Sequence, residues 1–188
     1  MKKYISFIIV SILIGLIFPF NAFSQYFDNK DQLDKKEKKA AREAYLNANF
    51  KAIDTLVQKR KFILEAYYLS DNHGSQVPVA SNLNFILVNS DRTVLQTGVN
   101  GNYGYNGVGG VTAEGTINSW KVSKDEKRRS FTIRFNAITD NGVYDVILWI
   151  GADKKAKATI TGMVSGSLTY TGNLVASYNS RVFQGTSR

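Results

Sequence analysis

Ser130-Phe131-Thr132-Ile133-Arg134-Phe135-Asn136-Ala137 is the stretch that decides the fold class. Phe131, Ile133, Phe135 and Ala137 fall on one side, and Thr132, Arg134 and Asn136 on the other. That is the two-residue period of a strand with one face on a core and one in water. Asp140-Asn141-Gly142 follows, and Asn-Gly predicts a type I′ hairpin turn, whose two central residues need positive φ. Val143 to Ile150 then runs back beside the first strand. Tyr144, Val146, Leu148 and Ile150 lie on one face and Ile147 and Trp149 on the other, so the strand reads as central, with only Asp145 interrupting it. Arg134, across the turn, is expected to form a surface cross-strand pair with Asp145.

Working outward, Gly151 to Lys155 is a turn, Ala156 to Val164 alternates again, and Ser165 to Ser167 turns into Leu168-Thr169-Tyr170. Upstream, Phe62 to Leu69 has strand period, with Phe62, Leu64, Ala66 and Tyr68 on one face. Asp71 to Ser81 is a loop by its Asn, Gly, Ser and Pro content, so Pro78 interrupts no predicted strand. Asn84 to Asn89 pairs through Ser90 and Asp91 with a strand from Thr93 to Val99. The Gly-rich stretch from Gly98 to Ser123 bounds its elements least sharply.

From Asp34 to Lys61 the period changes to that of a helix: Leu46, Phe50, Ile53 and Val57 form an apolar stripe. Asp31 and Asp34 mark its start, and its first turns, dense in Lys35, Lys36, Lys38 and Lys39, lack apolar partners. The fold class is therefore mainly β (α+β): an N-terminal amphipathic helix, then an antiparallel meander of about 7–8 strands forming a curved sheet, sandwich or small barrel.

Lys2 and Lys3, an apolar run from Ile5 to Phe20, and Asn21-Ala22-Phe23-Ser24 have the three parts of a secretory signal peptide. Small residues at Ala22 and Ser24 place cleavage between Ser24 and Gln25. The expected organisation is a signal peptide over 1–24, a basic segment and helix over 25–61, and an antiparallel β domain over 62–188 packed with the helix as one unit. The mature chain then works in the periplasm or is otherwise exported. It has no Cys for a lipid anchor or disulfides, which fits a bacterial envelope better than a eukaryotic secretory route. Loss of Lys2 and Lys3 lowers the formal charge from +9 to +7, basic enough for weak attraction to anionic envelope surfaces. No run of cations interleaved with stacking aromatics points to nucleic acid.

Asp140-Asn141-Gly142-Val143-Tyr144-Asp145, Ala158-Thr159-Ile160 and Ser167-Leu168-Thr169-Tyr170-Thr171-Gly172 resemble a Bacteroidetes family of exported proteins numbered 4251 among the domains of unknown function. The resemblance covers roughly Lys36 to Leu174, and its motifs are turn and strand residues, so it implies a fold and an envelope location but no activity. Members of the family often carry an Arg in a central aromatic and Gly segment. The matching stretch, Asn102-Tyr103-Gly104-Tyr105-Asn106-Gly107, has none.

A search for chemistry finds no catalytic residue, metal site or cofactor site. His73 is the sole His and stands in a loop, and with no Cys a zinc site is not built. No Gly-x-Ser-x-Gly elbow occurs, and the seven Gly from Gly98 to Gly115 fit neither the phosphate-loop nor the dinucleotide spacing. The loop displaying Asn102, Tyr103, Tyr105 and Asn106 is the candidate ligand contact, since Tyr rings stack and amides pair with hydroxyls or backbone. The chain is read as a non-enzymatic, exported binding or interaction module for an apolar or amphipathic small molecule or an envelope protein, with peripheral membrane contact available through the basic helix. The alternative is a structural or accessory envelope protein without a small ligand; less favoured is a hydrolase of envelope glycans using Asp145 or Glu114. A barrel interior filled completely by Phe131, Ile133, Phe135 and Leu148 would leave no room for an internal ligand.

Overall fold

The apolar stripe at Phe50, Ile53 and Val57 is what fastens the helix to the sheet: all three side chains are buried in one cluster with the strands. The computed structural model describes residues 19–99, 107–162 and 166–187, with side chains from Gln32 onward. Two compact units are present, Met1–Tyr45 and Leu46–Arg188. The helix, α1, spans Pro19–Lys59. It starts well before the Asp31 and Asp34 expected to open it, because Pro19 is tolerated in a first helical turn and nothing between Asn21 and Asp34 breaks the helix. The expected cleavage point, Ser24 and Gln25, falls on the early turns of α1, where side chains are not described. Lys35, Lys36, Lys38 and Lys39 are exposed. α1 stops at Arg60, whose φ of 48° is the left-handed geometry of a helix end.

Nine strands follow among the described residues: Lys61–Ser70 (β1), Gln76–Pro78 (β2), Phe85–Asn89 (β3), Arg92–Thr97 (β4), Val111–Asp125 (β5), Ser130–Thr139 (β6), Gly142–Gly151 (β7), Lys155–Thr161 (β8) and Ser167–Ala176 (β9). Neighbours pair antiparallel in the order β2-β1-β3-β4-β5-β6-β7-β8-β9, and β9 returns to pair with β1 from Phe62↔Ala176 to Ser70↔Thr169. The sheet thus closes into an eight-stranded barrel of β1 and β3 to β9, with β2 as an extra strand. Closure removes the free edges that a curved open sheet would leave.

Several local expectations change once the sheet closes. β7 is buried on one face only: Val146, Leu148 and Ile150 face the interior, while Ile147 and Trp149 face out. Its outer neighbours include Arg134 and Lys157, so the strand that reads as apolar on both sides has a solvent face. The β6–β7 hairpin forms as predicted, but its turn is not type I′. Thr139 pairs with Gly142, the two turn residues are Asp140 and Asn141, and of these positions only Gly142 has positive φ, at 128°. In β1 an irregularity between Ala66 and Tyr68 moves the inward position to Leu69 and leaves Tyr68 half-exposed. Pro78 lies in β2 after all; β2 pairs only with β1, and an edge is where a strand tolerates a missing N–H. β5 occupies much of the Gly-rich stretch, broken by a bulge between Asn118 and Lys121 where Ser119 has a φ of 57°.

The stretch Leu46–Lys59 of α1 closes one end of the barrel. Phe50 packs on Phe131 with ring centres 4.9 Å apart, and Trp120 links Phe62 and Phe135 at 6.4 and 5.5 Å. Arg60 places its guanidinium 4.9 Å from the centre of Trp120. Lys124 lies over Phe50 at 5.1 Å and binds Asp54 of α1 at 3.0 Å. A second, smaller core of Ile63, Phe85 and Val94 lies outside the barrel wall, beneath Val182 of the C-terminal segment. That segment is pinned by the buried Gln96, whose Nε2 donates to the Leu83 and Phe183 carbonyls and whose Oε1 accepts from the Gly185 N–H at 2.8 Å.

Candidate functional site: the open end of the barrel

Phe131, Ile133, Phe135 and Leu148 are buried and fill the part of the interior nearest α1. They do not fill all of it. At the opposite end, where β4, β6 and β8 finish and β5, β7 and β9 begin, the wall opens into a cavity of about 460 Å³. β4 supplies Leu95 and Thr97, β5 Val111 and Ala113, the β6–β7 hairpin Asn141 to Tyr144, β8 Ile160, and β9 Leu168 and Tyr170. Leu95, Ala113, Ile160, Leu168 and Tyr170 are inward positions of their strands, so the same period that builds the core lines the cavity.

The described lining carries no ionisable carboxylate, ammonium or guanidinium group. Its polar groups are phenols, an amide and hydroxyls. Tyr170 is buried, donates to the Gln96 carbonyl at 3.2 Å, and its phenol is pushed up by burial, so it stays neutral at any physiological pH. Tyr144 donates to the Asn141 carbonyl at 3.4 Å, at the rim. The result is an apolar floor with neutral hydrogen-bonding groups around the opening.

Of the residues singled out in the sequence, Asn102, Tyr103, Tyr105 and Asn106 lie outside the described residues. His73 is exposed, and its backbone N–H donates to Asp71 at 2.9 Å. Asp145 takes a hydrogen bond from Asn136, its direct cross-strand neighbour; Arg134 stands opposite Ile147 and is not its partner, because the pairing register sets them one step apart. Glu114 is held by Arg92 at 2.7 Å and Gln184 at 3.1 Å. The two carboxylates line separate surface clefts. Among the described residues no group of three His, Cys, Asp or Glu side chains could hold a metal, and no helix is long and apolar enough to cross a membrane. Sequence reasoning missed Leu95, Ala113, Tyr144, Ile160, Leu168 and Tyr170 as cavity residues. Their inward phase was readable for most, but which end of the barrel stays open depends on where α1 packs.

The family model for the domain of unknown function DUF4251 matches residues 45–174. The chain belongs to the DUF4251 family. Every residue named above as lining the cavity, and the packed stretch of α1, fall within the matched range. This DUF4251 chain is also similar to a DUF4251 family protein from Bacteroides eggerthii DSM 20697, known from a crystal structure. The two share 31% identity and a TM-score of 0.61, over 72% of this chain and 93% of the other. No curated protein matches the chain. The C-terminal segment that Gln96 pins lies beyond the matched residues.

Proposed function

We propose that this protein is an exported cell-envelope binding module that holds a small apolar or amphipathic molecule in the open end of its barrel, without catalysis. The observation that carries the reading is the cavity of about 460 Å³ with an uncharged, largely apolar lining. That volume is in the range of small-molecule sites, about 300–1,000 Å³. A ligand with an apolar body and a neutral polar end fits it: the body against Leu95, Ile160 and Leu168, the polar end at Tyr144 and Asn141. A carboxylate or ammonium placed on the apolar floor would lose its hydration with no countercharge. Export is supported by the three-part N-terminal segment ending at Ser24, and a bacterial setting agrees with the Bacteroides source of the similar structure. The non-enzymatic reading is supported by the engagement of Glu114 and Asp145 in separate clefts.

Native mass spectrometry of the protein purified from its own cells tests this. A reproducible added mass that denaturation releases is the expected result, and Leu168→Trp, which puts an indole into the cavity, should abolish it while the fold persists. A clean unliganded mass, or an added mass indifferent to Leu168→Trp, would remove the cavity from the account. The accessory-protein reading draws on the exposed Lys35, Lys36, Lys38 and Lys39. Contacts through them should weaken as salt rises, whereas binding in the cavity should not.

A further inference from the structure

Trp149 and Ile147 stand on the outside of the barrel, 45% and 46% exposed, on a wall that also exposes Ile138 and Val143 toward its other end and whose remaining outward positions on β6 and β7, Thr132, Arg134, Asn136 and Asp145, are polar. The register surrounds them with cations. Ile147 is flanked by Arg134, which in turn pairs with Lys121, and Trp149 is flanked by Lys157. All three cations are exposed, and none forms an ion pair among the described residues. The adjoining turns, 126–129 and 152–154, add Lys127, Arg128 and Lys154. The acidic residues in and beside these turns are partly engaged: Glu126 binds Lys124 at 2.8 Å, Asp125 at the end of β5 lies 3.9 Å from Arg128, and Asp153 accepts the Lys155 backbone N–H at 3.1 Å. Asp145, on the same wall, is hydrogen-bonded by Asn136. The Trp149 ring leans along its strand over Gly151, toward the β7–β8 turn of Asp153 and Lys154: a Cβ built on Gly151 would come within 2.9 Å of the indole and 2.8 Å of the Asp153 carboxylate.

From this arrangement we infer that the outer face of β6, β7 and β8 docks the protein on an anionic phospholipid surface, independently of what the cavity holds. An indole with a polar N–H and an apolar ring sits at headgroup depth, and Lys and Arg beside it can reach lipid phosphates while their stems cover the apolar strip. The strip of Ile147 and Trp149 is one strand wide, and the Asn136–Asp145 pair separates it from Ile138 and Val143, which leaves it too narrow for the fully buried core of a stable protein interface of about 1,600 Å². A second copy docking face to face would bring like charges together. The barrel is not itself a membrane-spanning one, because its interior is apolar and Thr132, Arg134, Asn136 and Thr159 face outward, the reverse of a wall that meets lipid tails. β7 runs from the open end at Gly142 to the helix-closed end at Gly151, so the basic face lies toward the closed end and docking leaves the cavity mouth free.

The test uses the full mature protein with vesicles of phosphatidylglycerol and phosphatidylethanolamine, and with neutral phosphatidylcholine vesicles for comparison. Partition onto the anionic vesicles at low salt is expected, falling as salt rises, with a blue shift of tryptophan emission and quenching by brominated lipid. Trp149→Phe should remove the shift, leaving Trp120, which is stacked on Phe135. Each of Arg134→Gln and Lys157→Gln should weaken partition about fivefold, and the pair about 25-fold, at roughly one charge's worth of surface attraction per side chain. Unchanged thermal unfolding shows that the variants are folded; brominated-lipid quenching of the parent needs no variant. Equal partition onto neutral vesicles, no partition at low salt, or partition lost only when Lys35, Lys36, Lys38 and Lys39 become Gln would each overturn the assignment. So would binding to an acidic protein alone.

Discussion

Gln96 is fully buried outside the barrel wall, and each of its side-chain atoms is used: Nε2 by two carbonyls, Oε1 by the Gly185 N–H and the Thr112 hydroxyl. Gln96→Leu keeps the volume but strands those partners, a loss of about 2–4 kcal/mol. Urea unfolding should record that loss, and hydrogen exchange at the Gly185 amide should accelerate most. Nothing in the sequence near Gln96 announces this role, because its partners come from residues far along the chain. Asp71 is the opposite case, a local device. Some desolvation raises its carboxyl, but backbone N–H groups of Ser75 and His73 outweigh that and hold it below its ordinary 3.8. Its contribution to the loop is therefore full above pH 3.8 and is lost as pH falls through the lower folded value. An NMR titration should show the Ser75 and His73 amide shifts moving together below pH 3.8, and in Asp71→Asn that titration should vanish. The Asp-Asn-His-Gly-Ser composition made this loop legible in advance.

At the scale of elements, α1 matters because it closes one end of the barrel. Phe50, packed 4.9 Å from Phe131 and beneath Lys124, is the centre of that contact. Phe50→Ala should cost about 3–5 kcal/mol and expose Trp120 to quencher, measurable by urea titration and by fluorescence. The stripe that does this was readable from the recurrence of Leu46, Phe50, Ile53 and Val57. The β6–β7 hairpin was equally legible, since alternation reports faces directly. β5 was not, because Gly115, Asn118 and Ser119 interrupt its pattern and the bulge shifts the phase midway, so two half-patterns do not add. The edge strand β2 was missed for a different reason: its three residues are exposed and gain their place only by pairing with β1.

For the whole molecule the deciding event is the pairing of β1 with β9, which turns a sheet into a barrel. Gly172 sits at that seam opposite Ala66, where an added Cβ would lie 1.9 Å from the Glu65 carbonyl oxygen. Gly172→Ala should therefore force the two strands apart at a cost of about 3 kcal/mol or more. Thermal unfolding should register the loss, and amide exchange should rise on both β1 and β9; protection kept on both strands would mean that closure tolerates the methyl group. The sequence by itself determined the class of the molecule: strand phase, hairpin partners, the helix face and the absence of a recognised catalytic motif follow from period and turn chemistry, which act over a few residues. Only the tertiary structure decided closure, the outward placement of Ile147 and Trp149, and the open cavity at one end. These depend on residues about a hundred positions apart meeting in register and on which end α1 covers, and local alternation carries no information about either.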